Sequence, residues 1–365
     1  MNERIGGATI SLCMIVRNEH RHLARCLESA AAAVDEIVIV DTGSTDDTRE
    51  IARGFTDKVY DFVWQDDFAL ARNYAFSKAT KDFLFWMDAD DVLEPQDAQR
   101  LIALKRTIGQ NADVVMLPYY VGINARGEPA LTYYRERLLR RSMGFRFEGA
   151  VHEAVAPRGR IVYGDAIIRH RKEGPGESER NLRIYEKLLA RGERLDTRGL
   201  FYYARELRDH KRYEQALERF EEFLSRPDGW VENRIEACRC AAQCLQALDR
   251  PEEAQTMRMR TFAMDLPRAE TCCEIGAGFM AMQNYRAAAY WYERALACRK
   301  DERSGAFVQS ACYDYVPLLQ LCVCYDRLGE RALARAYNDR VGERWPEDKA
   351  YLYNKEYFER TDCTA

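Results

Sequence analysis

No stretch of this sequence approaches the roughly 18 consecutive apolar residues of a membrane-spanning helix. The start, Met-Asn-Glu-Arg-Ile-Gly-Gly, has no basic region followed by an apolar stretch and a cleavage site. The expectation is therefore a chain without an export signal, working in the cytoplasm. Net charge is only −4, which argues against a general nucleic-acid binder. No paired CxxC elements with zinc spacing occur among the twelve cysteines. Most of these lie in the second half at helical spacing, as with Cys240 and Cys244, and read as small buried hydrophobes. No GxGxxG follows the first strand-like run, which excludes a dinucleotide fold of the usual kind.

What is present is an α/β pattern followed by a purely helical one. The hydrophobic fraction of 47% and charged fraction of 31% suit a globular protein, and 365 residues can hold about two or three domains. The first half is organised around Phe83-Leu84-Phe85-Trp86-Met87, which runs into Asp88-Ala89-Asp90-Asp91. An unbroken apolar run of this length reads as a strand buried on both faces. Ligands of open α/β sheets sit beyond the carboxyl ends of such strands. Asp88 and Asp90 are thus expected where a ligand binds, and two carboxylates so spaced suit a hard divalent cation.

Other strands read the same way. Ile10–Val16 ends in Arg17-Asn18-Glu19, Ile37–Val40 in Asp41-Thr42-Gly43-Ser44, and Val59–Val63 near Asp66 and Asp67. Helices are expected between them, one of them carrying Arg72 and Asn73. If the sheet is parallel, these groups converge on one edge. That edge is too acidic to hold a nucleotide diphosphate unless a cation bridges carboxylate and phosphate oxygens. Arg72 can add positive charge against a phosphate, or be a solvated helix residue.

The ordered set Met14-Ile15-Val16-Arg17-Asn18-Glu19, Ile39-Val40-Asp41-Thr42-Gly43-Ser44-Thr45-Asp46, Ala71-Arg72-Asn73 and Trp86-Met87-Asp88-Ala89-Asp90 resembles the nucleotide-sugar half of a family 2 glycosyltransferase with a GT-A fold. The match is strong over residues 8 to 95. It implies a mostly parallel, Rossmann-like mixed sheet and a nucleotide-sugar donor, UDP-linked foremost. It implies a donor site built from Val16, Asn18, Glu19, Asp41, Arg72, Asn73, Asp88, Ala89 and Asp90. Asp41 would contact the nucleoside, Asp88 the ribose or metal, and Asp90 would ligate Mn²⁺ or Mg²⁺. Thr42 departs from the pattern, since many members carry a second acidic residue there, which leaves the base open.

Beyond Pro95 the pattern predicts a helix, a strand at Val114–Leu117, a hairpin over Val121–Leu139 and a last strand over Ile161–His170. His170 resembles the third metal ligand of GT-A enzymes. Family 2 enzymes invert at the anomeric carbon, so a base must take the acceptor proton. Val151-His152-Glu153 resembles an element of bacterial members with helical repeats. Glu153 is the first candidate base, followed by Asp91 and His152; a purely structural role for His152 and Glu153 is the alternative. The Gly174-Pro175-Gly176 stretch reads as a loop closing over the donor, where Lys172 or Arg180 would meet the diphosphate or be ordinary linker charges.

A catalytic domain is expected over 1–175 and an all-α repeat domain over 176–365. Tyr213–Leu224 and Tyr285–Leu296 are similar helices, and Ala254 and Ala288 lie about 34 residues apart, one tetratricopeptide period. The pattern resembles four imperfect tetratricopeptide pairs with a capping helix over Asp348–Arg360. Small residues such as Ala204, Ala242 and Gly276 fall where helices must approach closely. Tyr202, Tyr203, Tyr290 and Trp291 would line a concave binding face or pack between helices. The whole arrangement resembles the sublancin-type peptide S-glycosyltransferase group, implying a Cys or Ser side chain of a peptide or protein, engaged through the repeats, as acceptor. Transfer to an envelope glycan or lipid is the enzymatic alternative, and a nucleotide-sugar-sensing scaffold the non-enzymatic one.

Overall fold

The structure is a computed structural model that describes residues 7–124, 126–171 and 179–362. The chain divides into two compact units, Met1–Gly199 and Leu200–Ala365. Among the described residues, no helix is long and apolar enough to cross a membrane.

The first unit is a mixed sheet with helices on both faces. Its strands are β1 (Ile10–Val16), β2 (Glu36–Asp41), β3 (Val59–Asp61), β4 (Phe83–Trp86), β5 (Asp91–Leu93), β6 (Val114–Ile123), β7 (Pro129–Arg140), β10 (Ile161–Tyr163) and β11 (Ile168–His170). The small strands β8 (Phe147–Glu148) and β9 (Ala154–Val155) pair apart from it. The main order is β3-β2-β1-β4-β7-β6-β11-β5, with β10 also on β6. β3, β2, β1 and β4 are parallel, and β7 runs against both β4 and β6.

The apolar run of β4 is buried on both faces as its composition predicts. Phe83 and Phe85 pack with Leu23, Cys26 and Leu27 of α1 (Leu23–Ala31). Leu84 and Trp86 face the other way, onto Ala75 and Phe76 of α3 (Phe68–Lys78) and onto Phe147. This is the two-residue alternation of a strand serving two helical layers. The helix α2 (Thr48–Arg53) follows the Asp41 loop, and α4 (Pro95–Ile108) starts with proline in its first turn.

Three local expectations change. The segment Ile161–His170 is two strands, both parallel to β6, and not one. Gly164 lies against the Leu117 side chain, where a Cβ would come within 2.7 Å of Leu117 Cδ2, and the Ile167 N–H is drawn to Asp97 Oδ1 (3.1 Å). The chain therefore leaves the ladder between them. Val114–Leu117 and the first arm of the hairpin form one strand, β6, and the bulge in its pairing lies on β7, where Arg137 is the extra residue. The third is β5, a three-residue strand directly after the acidic turn, antiparallel to β11 in a register that sets His170 opposite Asp91.

Helix α5 (Arg180–Ala190) belongs to the first unit, where the Tyr185 hydroxyl donates to the Val151 carbonyl (3.3 Å). The second unit holds helix pairs α6 (Thr197–Asp209) and α7 (Tyr213–Ser225), α8 (Val231–Ala247) and α9 (Pro251–Met259), α10 (Ala269–Ala281) and α11 (Tyr285–Ala297), and α12 (Tyr315–Arg327) and α13 (Arg331–Arg344), then α14 (Lys349–Asp362). Ala204 and Ala242 are fully buried, and a Cβ at Gly276 would sit 2.9 Å from the Tyr292 ring. Tyr202 and Tyr203 are core residues, whereas Tyr290 is 56% exposed and Trp291 stacks on Phe262. The described cysteines are free thiols, nearly all buried.

Candidate active site

Strand ends collect the acidic groups on one edge of the sheet. At the end of β2, Asp41 is 1% exposed. Its Oδ1 accepts the Gly43 and Ser44 N–H groups (2.9 Å each) and Arg49 Nε (3.0 Å), while its Oδ2 is buried with no partner. Burial pushes the Asp41 carboxyl up, but the Ser44, Gly43 and Arg49 donors outweigh it and hold it below the usual range. The loop needs Gly43, whose φ is +108°. Asn18 adopts left-handed φ (54°), and its side-chain carbonyl accepts Thr45 N–H (2.8 Å). The Glu19 N–H binds Thr48 Oγ1 (2.7 Å), and the Val16 carbonyl accepts the Thr42 N–H (2.9 Å). These bonds stitch the ends of β1 and β2 into one wall. Burial and the nearby Asp90 and Asp88 raise the Glu19 carboxyl, against the pull of His22.

Asp66 and Asp67 do different work. Asp66 pairs with Lys187 (2.6 Å), and Asp67 caps α3 by accepting the Leu70 N–H (2.8 Å).

After β4 the chain makes a tight acidic turn. The Asp91 N–H donates to the Asp88 carbonyl (3.0 Å), and the Asp88 N–H donates back to Asp91 Oδ2 (3.1 Å). Ala89 is buried within this turn. Side-chain ligand atoms of Asp90, Asp91 and His170 all lie within 4.8 Å of one another. His170 Nδ1 stands 3.3 Å from Asp90 Oδ1 and 3.5 Å from Asp91 Oδ1, buried and without a well-aligned hydrogen bond. Burial disfavours the imidazolium, yet the two carboxylates push His170 up to about 10. Two carboxylates and an imidazole that demand positive charge between them are a fitting donor set for Mn²⁺ or Mg²⁺.

Asp88 points elsewhere. Its Oδ1 meets Arg72 at 2.6 Å. Burial opposes its ionisation, but Arg72 and Arg137 hold it down at about 2. Arg72 Nε also meets Glu153 Oε1 at 2.5 Å, so one buried guanidinium joins the two carboxylates. It lies over the Trp86 ring (4.9 Å) and the Phe147 ring (5.4 Å). Asn73 clamps β8, donating to the Phe147 carbonyl (2.9 Å) and accepting its N–H (2.8 Å). His152 has left-handed φ (53°), and its carbonyl accepts from Arg198. Asp91 is fully buried. Arg180 stacks over Phe68 (4.7 Å) with its Nε unpartnered, and Lys172 lies outside the described residues.

Sequence reasoning missed two residues here, Tyr119 and Arg137. Tyr119 of β6 hydrogen-bonds Asp91, and Arg137 of β7 forms an ion pair with it. Arg137 reads as an ordinary alternating residue of Arg135-Glu136-Arg137, and only the strand pairing, which makes it a bulge residue, reveals its burial.

Residues 11–161 match the family described as glycosyl transferase family 2. The chain is 27% identical over 229 residues to the SPbeta prophage-derived glycosyltransferase SunS of Bacillus subtilis, covering 59% of this chain and 53% of that protein. It is 28% identical over 159 residues to the lipopolysaccharide core biosynthesis glycosyltransferase LpsC of Rhizobium meliloti, covering 42% and 58%. It is 48% identical over 86 residues to a TPR repeat-containing protein of Synechococcus elongatus, covering 24% and 21%. The chain thus spans about half or less of the length of the first of these curated relatives it matches.

Proposed function

The chain carries a family 2 glycosyltransferase domain of the GT-A kind followed by tetratricopeptide-like repeats, and from that premise we propose that it transfers a sugar from a nucleotide donor, UDP-linked, to a Cys or Ser side chain of a peptide or protein. The reaction runs in the cytoplasm with inversion at the anomeric carbon. The observation that carries the reading is the Asp90, Asp91 and His170 group on the sheet edge where the β1, β2 and β4 motifs end.

In this proposal Asp41, its side chain fully buried, holds the Gly43–Ser44 and Arg49 wall of the nucleoside site. Asp90, Asp91 and His170 hold Mn²⁺ or Mg²⁺, which neutralises charge on the leaving diphosphate when bound. Asp91 replaces Asp88 in the set, because Asp88 is committed to Arg72. Arg72 then acts on the donor side through Asp88, and its direct role at the diphosphate falls away. Arg180, stacked over Phe68, is the candidate cation among the described residues for the diphosphate. Glu153 is the base. Arg72 engages its Oε1, and Oε2 takes the acceptor proton as the nucleophile attacks opposite the leaving group. Asp91, sealed from an acceptor, and His152 rank below it.

The similarity to LpsC favours a second reading, with a cell-envelope glycan or lipid as acceptor. Incubation with UDP-, GDP- and dTDP-sugars and Mn²⁺ or Mg²⁺, with and without EDTA, tests the donor half. Release of nucleoside diphosphate from one donor, abolished by EDTA, is expected. Absence of both release and calorimetric binding across the panel refutes the reading. Peptide and glycan acceptors then separate the two acceptor classes.

A further inference from the structure

Asp91 is fully buried, and its carboxylate is held from four directions. Each carboxylate oxygen has two acceptor sites. Oδ2 accepts the Asp88 N–H (3.1 Å) and is ion-paired with Arg137 NH1 at 3.2 Å. Oδ1 uses one for the Tyr119 hydroxyl (2.8 Å). Its remaining site faces His170 Nδ1 at 3.5 Å. The rotation of the carboxylate is therefore set before any cation arrives, with Oδ1 left facing the Asp90 and His170 donors.

The two holders are themselves rigid. Arg137 is fully buried, its guanidinium lying 3.9 Å from the Trp86 ring centre and 4.4 Å from that of Tyr119, and its NH1 donates to the Trp86 carbonyl (3.0 Å). That carbonyl closes β4, two residues before Asp88. Arg137 thus ties the strand end and the turn to one group. The Tyr119 ring stands edge-on to Tyr133 and His170.

We infer that Tyr119 and Arg137 are positioning residues for the cation: by fixing Asp91 they set the geometry of the Asp90, Asp91 and His170 site without touching the ion. The inference rests on the cation-dependent reading of this edge. Outer partners of this kind typically change metal affinity 10- to 100-fold. Tyr119 is the cleaner probe, because removing its hydroxyl changes no charge. Loss of the Arg137 charge would instead leave Asp91 more negative and could tighten cation binding.

The test is Mn²⁺ titration of the full chain, followed by electron paramagnetic resonance, for wild type, Tyr119→Phe and Arg137→Lys, with melting temperatures measured in EDTA. Tyr119→Phe is expected to weaken Mn²⁺ binding about tenfold. Arg137→Lys, which keeps the charge but loses the planar guanidinium packed on the Trp86 and Tyr119 rings, should weaken it at least as much. Tyr119→Phe binding Mn²⁺ as tightly as wild type, with only its metal-free melting temperature lowered, makes the residue purely structural and overturns the inference. Wild type binding no Mn²⁺ overturns the cation reading and this inference with it, so the two failures are told apart by the wild-type arm. If Arg137→Lys does not fold, Tyr119→Phe alone decides.

Discussion

Replacing Arg72 by methionine keeps much of the side-chain volume but removes the charge between Asp88 and Glu153. Both carboxylates lose their cation at once. Breaking a buried pair by removing one partner costs about 3–5 kcal/mol. The low end applies here, because the Asp88 side chain is 37% exposed and water screens its share, whereas Glu153 is 10% exposed. A loss of about 3 kcal/mol in a unit of this size lowers its melting temperature by about 6–12 °C. The pH dependence has a definite sign. The folded Asp88 carboxyl sits at about 2, below the roughly 3.9 of an unfolded aspartate. Its contribution is full above about pH 4 and is lost as pH falls toward 2. The gap between wild type and Arg72→Met should therefore be widest at neutral pH and close on acidification. Scanning calorimetry of both proteins at pH 7 and at successively lower pH checks this. A gap below about 1 kcal/mol at pH 7, or one that does not narrow with acid, refutes the electrostatic account and leaves only stacking on Trp86 and Phe147.

Asp90→Ala should abolish sugar transfer and metal-dependent donor hydrolysis, and wild-type turnover in that variant or in excess chelator would remove the metal role. Glu153→Gln keeps an oxygen for Arg72 but cannot take a proton, so transfer should fall about 10²- to 10⁴-fold while donor affinity by calorimetry is retained; a collapse of donor affinity would move Glu153 into the donor site. Gly276→Ala places a methyl 2.9 Å from the Tyr292 ring and should destabilise the repeat unit by about 1–3 kcal/mol, read by calorimetry, with an unchanged melting profile refuting the close approach.

The legible parts of this protein are those written in short, contiguous runs. Phe83–Met87 declares a doubly buried strand by its unbroken apolarity, and the repeats declare themselves by helical period and by alanines at close approaches. The motifs at the ends of β1, β2 and β4 carry the glycosyltransferase resemblance because each is local. Pairings across long separations were not legible. Arg72 meets Glu153 across 81 positions, and Tyr119 meets Asp91 across 28. Asp-x-Asp reads as a carboxylate pair suited to one cation, yet the turn after Trp86 sends Asp88 to Arg72 and leaves Asp90 with His170. Asn73 reads as part of a donor motif, yet its amide closes on β8. Composition and periodicity, being local, determined which segments became strands, helices and repeats. Which carboxylate meets a cation and which meets an arginine was decided by strand register, because a side chain's partner depends on what the sheet lays beside it.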